Sequence, residues 1–143
     1  SEWFAPGDCS VTQIMSDLET MVKDDLKFTL DDADTKLIQI PLLRIKYANL
    51  LMKRTKVLND YEQRRKEVWG EKWRYYATDY KQIIDRRDIP SYIECDADYV
   101  EVRKKVNRSQ ESVDFVDNVL KSIDNMNWLI TSAIKWHMFK NGG

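Results

Sequence analysis

Apolar positions along this chain recur mostly at intervals of three and four, the spacing of one face of an α-helix. The clearest run is the last. Tyr99, Val102, Val106, Ser109, Val113, Val116, Leu120, Ile123, Asn127, Ile130, Ile134 and His137 step by alternate threes and fours. That spacing predicts a heptad-patterned helix, with no Gly or Pro to interrupt it before Gly142. In its second half Phe115, Val119, Met126, Leu129, Ala133 and Trp136 flank the seam, making the stripe wider than one partner helix covers. An earlier run reaches from Leu42 to about Tyr76. There Leu43, Tyr47, Leu50, Val57, Tyr61, Val68 and Tyr75 recur, widened by Leu51, Leu58, Trp69, Trp73 and Tyr76. It predicts a long amphipathic helix that ends between Tyr76 and Tyr80. Gly70 weakens it by about 1 kcal/mol relative to Ala.

The pattern is less regular before these runs. Residues 1–11 hold Pro6, Gly7 and Ser10 and read as an irregular arm. Ser10 or Thr12 can cap a short helix carrying Val11, Ile14, Met15, Leu18, Met21 and Val22. Residues 24–34 are acidic and read as a turn. Residues 35–40 are short and partly β-branched; Pro41 disfavours the α conformation at Ile40 and is well placed to open a new helix. Residues 77–95 form a connection too long for a simple turn, so part of it should dock or serve some other purpose. Asp96 or Asp98 can cap the last helix. The expected fold is all-α: a long antiparallel helical hairpin with a short N-terminal helix. Residues 1–30 would be the arm and short helix, and residues 31–143 one helical domain.

Burial arithmetic raises the question of assembly. Each apolar side chain fully buried contributes roughly 1.5–3 kcal/mol. A hairpin of two long helices covers one stripe of each, which leaves extra apolar surface near residues 113–138 wet. Such patches usually mark an interface. The expectation is self-association through the C-terminal helices at Val113, Val116, Val119, Leu120, Ile123, Met126, Asn127, Ile130 and Ile134. The alternative is that the short N-terminal helix covers the patch within one chain. Asn127 either sets register in the seam or lies at a solvated edge.

Composition narrows the function. The chain has 143 residues, one third of them charged, with four Gly and three Pro. Few breakers and many charges suit long helices with solvated faces, and 11% aromatics argue against disorder. The net charge is −1, but it is unevenly spread. Residues 1–40 carry nine acids and three lysines, whereas residues 44–74 carry ten bases and four acids. A basic middle in a neutral chain suggests a localised anion-binding surface. No apolar run approaches the roughly 20 residues of a membrane span, and the start has no basic region before an apolar one, so no signal peptide is expected. Cys9, Cys95 and His137 match no ligand spacing, so neither a metal nor any other cofactor is expected. Two unremarkable thiols suggest a reducing cytosol. The acids at Asp24, Asp25, Asp31, Asp32 and Asp34 lack the spacing of a calcium loop. There is no phosphate-binding Gly-rich loop, so the chain reads as a protein that is not an enzyme.

The basic middle carries the functional signal. Lys53, Arg54 and Lys56, then Arg64, Arg65 and Lys66, then Lys72, Trp73, Arg74, Tyr75 and Tyr76 lie along one expected helix. The clusters recur every two to three turns and therefore fall on overlapping faces. A nucleic-acid strand needs such a row of cations for its phosphates, and unpaired bases stack on aromatic rings, gaining about 1–3 kcal/mol each. The plain alternative is that the charges are the wet face of a long helix and the tryptophans are core. Arg103, Lys104, Lys105 and Arg108 form a second basic set, and Arg86 and Arg87 a third.

Glu71-Lys72-Trp73-Arg74-Tyr75-Tyr76 is the point at which a family resemblance emerges. Asp34-Thr35-Lys36-Leu37, Ile40-Pro41, the stretch from Asp88 to Glu94, and Ala133-Ile134-Lys135-Trp136-His137-Met138-Phe139 add to it in order. Together they resemble the UvsY family of large tailed phages, most of all the versions carried by cyanobacterial phages, over about residues 30 to 140. The resemblance implies a recombination mediator that catalyses nothing itself and works in the cytoplasm of a phage-infected bacterial host. Its implied partners are single-stranded DNA, a single-strand-binding protein coating that DNA, and a UvsX-like recombinase that it helps to assemble there. It also implies self-association into rings of roughly six or seven subunits that require the C-terminal helix, with no membrane partner. The family's DNA-binding motif places two basic residues, one residue apart, before the Tyr-Tyr step. Aligned on Tyr75-Tyr76, Lys72 matches the second, and the first falls on Gly70. Arg74 sits where the family has no basic residue, so Lys72 carries most weight, then Arg74 and Arg65.

Overall fold

A computed structural model describes the backbone of residues 8–142 and the side chains of residues 15–142. Its regular structure is helical: α1 (Asp8–Leu26), α2 (Ala33–Arg74), a π-helical turn (Tyr75–Asp79), α3 (Ile89–Glu94) and α4 (Ala97–Lys140). Two long helices and a shorter first one make the all-α class that the periodicity predicts. The first helix begins at Asp8, ahead of the expected caps, so the last residues of the expected arm are helical. The side chains of Cys9, Ser10, Val11, Thr12 and Ile14 lie outside the described residues.

The largest departure concerns Pro41. It does not open a helix; α2 already starts at Ala33 and Pro41 lies inside it. The first turns of α2 are tied down by neighbours that local preference does not see. Ala33 is buried. The Thr29 N–H donates to Asp32 Oδ1 at 2.5 Å, and the Lys36 N–H donates to the Asp32 carbonyl at 3.0 Å. The Lys36 ammonium donates to the carbonyl of Asp25 at the end of α1, at 2.8 Å. Pro41 itself faces outward, where the carbonyl deprived of its usual N–H partner can turn to water.

The chain divides into two compact units. One joins residues up to Asn49 with residues from Val116 onward. Its core is Leu18 and Val22 of α1, Ala33 and Tyr47 of α2, and Val116, Val119, Ile123, Met126 and Ile130 of α4. Tyr47 is wholly buried, and its hydroxyl donates to Asp25 Oδ2 at 2.7 Å. Lys46 meets the same carboxylate at 2.6 Å, and Arg44 meets Asp124 of α4 at 2.8 Å. Ile38, Leu42 and Ile45 stay exposed on the outer face of α2.

The other unit, Leu50–Phe115, buries Leu58 and Val68 of α2, Ile89 and Ile93 of α3, and Tyr99, Val102, Val106 and Ser112 of α4. Here α2 and α4 run in opposite directions: Trp69 packs edge-on against Tyr99 with centroids 5.3 Å apart, and Lys72 reaches back to Asp98. The connection docks as expected, through α3. Pro90 stands in the first turn of α3, where a missing N–H costs nothing. Asp96 caps α4, its Oδ1 accepting from the Asp98 N–H at 3.0 Å.

The buried face of α4 departs from strict alternation. Burial passes from Val106 to half-buried Ser109 and then Ser112, two successive steps of three. From there it follows Val116, Val119, Ile123, Met126 and Ile130. Val113, Leu120 and Asn127, one residue later than Ser112, Val119 and Met126, sit about 100° farther round the helix. The pattern alone does not choose between these columns: Val113 outweighs Ser112, Val119 and Leu120 balance, and Met126 outweighs Asn127. A short extra step rotates the stripe, as a three-residue insertion does in a heptad repeat.

Candidate nucleic-acid interface

All of the residues singled out for nucleic-acid binding fall within the unit Leu50–Phe115. On α2, Lys53, Lys56, Lys66 and Arg74 point outward, and Arg54 is half-buried. Among the described residues none of these five makes an ion pair. Lys56 and Arg74 lie on one line, five helical turns or about 27 Å apart. The row is thinner than the sequence suggests. Arg64 turns to Glu67 and Glu71 at 3.5 and 3.6 Å, and Arg65 to Glu62 at 2.6 Å. Asp60, Glu67 and Glu71 share the exposed face.

Lys72 is engaged within the chain. Its ammonium lies 2.8 Å from Asp98 Oδ2 and 3.4 Å from Asp96 Oδ1. The hydrogen bond to Asp98, ahead of the nearby charges, holds its pKa above the ordinary lysine value even though burial opposes it. Burial alone would raise the Asp96 carboxyl. Hydrogen bonds from Tyr76 and the Asp98 N–H, with the Lys72 charge, overcome this and hold it below the usual carboxylate value. The Tyr76 hydroxyl donates to Asp96 Oδ2 at 2.7 Å, and that bond first, burial second, pushes it up to about 12.

Around this network the chain gathers four tyrosines. The π-helical turn closes with the Tyr80 N–H donating to the Tyr75 carbonyl at 2.9 Å, and Tyr80 then leaves in extended conformation. That wider turn brings Tyr75, Tyr76 and Tyr80 together, a use typical of π-turns at functional sites. Ring centroids are 5.0 Å apart for Tyr75 and Tyr76, 6.0 Å for Tyr75 and Tyr80, and 5.1 Å for Tyr76 and Tyr80. Tyr92 of α3 completes the group, 5.7 Å from Tyr76 and 5.9 Å from Tyr80. The Lys72 ammonium sits 5.6 Å from the Tyr75 ring centre. Trp73 is half-buried, and among the described residues it has no ring partner.

Sequence reasoning brought Lys72, Tyr75 and Tyr76 to this place but missed Tyr80 and Tyr92. Those two stand on different elements, so no periodicity links them. The available signal was the length of the connection that carries both.

The residues expected at a subunit interface divide. Val116, Val119, Ile123, Met126 and Ile130 are buried in the chain's own core, Val113, Leu120 and Ile134 are half-buried, and Asn127 is on the solvated side. What α4 leaves outward near its end is Trp128, Leu129, Trp136, Met138 and Phe139, with Trp136 and Phe139 stacked at 5.7 Å.

Among the described residues no helix is long and apolar enough to cross a membrane, and no three His, Cys, Asp or Glu residues are grouped to hold a metal. No curated protein sequence matches the chain significantly. Its fold is similar to crystal structures of the bacteriophage T4 recombination mediator protein UvsY. In lattice type IV the TM-score is 0.78 at 18% identity, covering 87% of this chain and 97% of that one. In lattice type II the values are 0.78, 17%, 88% and 96%. Residues 21–143 match the family described as recombination, repair and ssDNA binding protein UvsY. With that match running through α2, the tyrosine cluster and α4, the chain belongs to the UvsY family.

Proposed function

We propose that the chain is a recombination mediator that holds single-stranded DNA and promotes loading of a UvsX-like recombinase onto DNA coated by single-strand-binding protein. It performs no catalysis and acts in the cytoplasm of the infected host. The observation that carries this reading is the pairing, on one unit, of outward unpaired cations on α2 with a cluster of tyrosines at its end. Cations neutralise phosphates without reading sequence, and rings take unpaired bases.

Each contact is weak, so the reading includes self-association. Several copies presenting the same modest site bind one strand multivalently. The apolar side chains left exposed near the end of α4, Trp128, Leu129, Trp136, Met138 and Phe139, support this part.

A salt titration of single-strand binding tests the site. Lys53→Ala, Lys56→Ala, Lys66→Ala and Arg74→Ala combined should remove about 0.7 per charge from the slope of log affinity against log salt. An unchanged slope removes α2 from the interface. Failure of the unmodified chain to bind at moderate salt would favour a helical adaptor that binds only proteins. Mass photometry of the chain and of Trp128→Glu/Trp136→Glu tests assembly, and a monomer in both cases would end that part of the reading.

A further inference from the structure

The four-tyrosine cluster is built unlike a packed core. Tyr76 and Tyr80 each touch the other three rings and are half-buried. Tyr75 and Tyr92 stand at its two sides and remain 42% and 39% exposed. The inner rings are held: Tyr76 by its hydroxyl on Asp96, Tyr80 by its contacts with the other three rings, on a backbone closed by the π-helical turn. The outer ring of α3 is fixed as well. Ile89 and Ile93, one turn apart, are sunk in the core and hold the six-residue helix so that Tyr92 is presented at its flank.

Charge does not explain the surface. Residues 72–96 carry Lys72, Arg74, Lys81, Arg86 and Arg87 against Asp79, Asp85, Asp88, Glu94 and Asp96, a balance of zero. Lys72 is held by two aspartates, and Arg87 faces Asp85 at 3.6 Å. A neutral surface with two partly exposed, pre-positioned tyrosine rings is suited to a planar uncharged group more than to a phosphate.

We propose that this cluster is a nucleobase platform, in which Tyr75 and Tyr92 each stack one unpaired base of a single strand while Tyr76 and Tyr80 position them. The proposal rests on the single-strand binding proposed above and extends it to α3. Stacking is sequence-tolerant because every base has a π-face. Two rings on separate elements, both in contact with the same inner pair, give a strand two fixed points instead of one. Arg74 and Lys81, next in sequence to Tyr75 and Tyr80, are exposed and form no ion pair among the described residues, so they are available to the backbone of a stacked strand.

The test compares an oligodeoxythymidylate with a fully abasic strand of equal length and charge, on the chain of 143 residues. The platform predicts preference for the base-bearing strand by at least about fivefold. It predicts that Tyr92→Ala lowers that preference while leaving the salt slope and abasic binding unchanged, and that Tyr92→Phe keeps it. Equal affinity of the unmodified chain for both strands overturns the platform and leaves phosphate-based binding standing. Binding to neither strand overturns the underlying single-strand reading instead. Equal loss on both strands in Tyr92→Ala makes Tyr92 structural and overturns the proposal, and the comparison on the unmodified chain decides the matter even if the variant fails to fold.

Discussion

The Lys72 ammonium lies 2.8 Å from Asp98 Oδ2, in the first turn of α4, so the lysine beside the Tyr75 ring already has a counterion. The Asp98 side chain is largely exposed, and exposed pairs are weak and easily exchanged. A phosphate therefore competes with Asp98 for the same ammonium. Asp98→Asn should tighten single-strand binding by roughly up to fivefold and steepen the salt slope by about 0.7. Titration of both proteins across a range of salt checks this; an unchanged slope means that Lys72 makes no phosphate contact.

The resemblance read from the sequence sets Gly70 against the first basic residue of the family motif. A Cβ built there meets nothing within 4 Å. Gly70→Ala should stabilise α2 by about 1 kcal/mol, read as a shift in urea midpoint. Gly70→Lys should keep most of that gain and add one cation two residues before Lys72. Tighter single-strand binding for the Lys variant than for the Ala variant separates charge from helix propensity.

Ser112 is a polar residue on the buried face of α4, and its hydroxyl oxygen has no hydrogen-bond partner. An unsatisfied buried hydroxyl costs about 1–3 kcal/mol, and Ala is also the better helix former. Ser112→Ala should raise stability by about 1 kcal/mol in equilibrium denaturation without altering DNA binding. Destabilisation would show that the hydroxyl is satisfied in solution.

Asp25 joins α1 to α2 by accepting from Lys46 and Tyr47. Burial alone would raise its pKa, but those hydrogen bonds and the lysine charges hold it below 3.8. Asp96 is held below 3.8 in the same way by Tyr76, the Asp98 N–H and Lys72. In the unfolded chain both carboxyls take up protons at higher pH than in the folded one. Their contribution is therefore complete above about pH 3.8 and is lost as the pH falls through the lower folded values. Urea midpoints measured from about pH 6 down to about pH 3 should fall at the acid end, and Asp25→Asn should flatten part of that fall. Tyr47→Phe, which removes a hydrogen bond to a charged acceptor, should cost about 1.5–3 kcal/mol above that window.

Much of the architecture was readable because helices announce themselves locally. The three-and-four spacing located α4 and most of α2, Asp96 was among the two caps expected, and the long connection contained a docking segment. Pro41 misled because its disfavour of the preceding helical residue is a local term of modest size. The contacts that outweigh it, Lys36 to the Asp25 carbonyl and the burial of Ala33, come from neighbours outside that stretch. The apolar stripe expected on α4 was legible. How it divides between the chain's own core and the outward Trp128 and Trp136 depended on where α1 and α2 lie.

Taken alone, the order of residues determined helix content, the two long amphipathic stretches, the uneven charge and the family motif at Glu71 to Tyr76. These follow from the fixed rise and rotation of an α-helix, which convert spacing directly into faces. Tertiary structure alone decided which of two columns on α4 is buried, that Lys72 is paired with Asp98, and that Tyr92 joins Tyr75, Tyr76 and Tyr80. Those outcomes depend on where chain segments return, here after the π-helical turn at Tyr75–Asp79 and through α3.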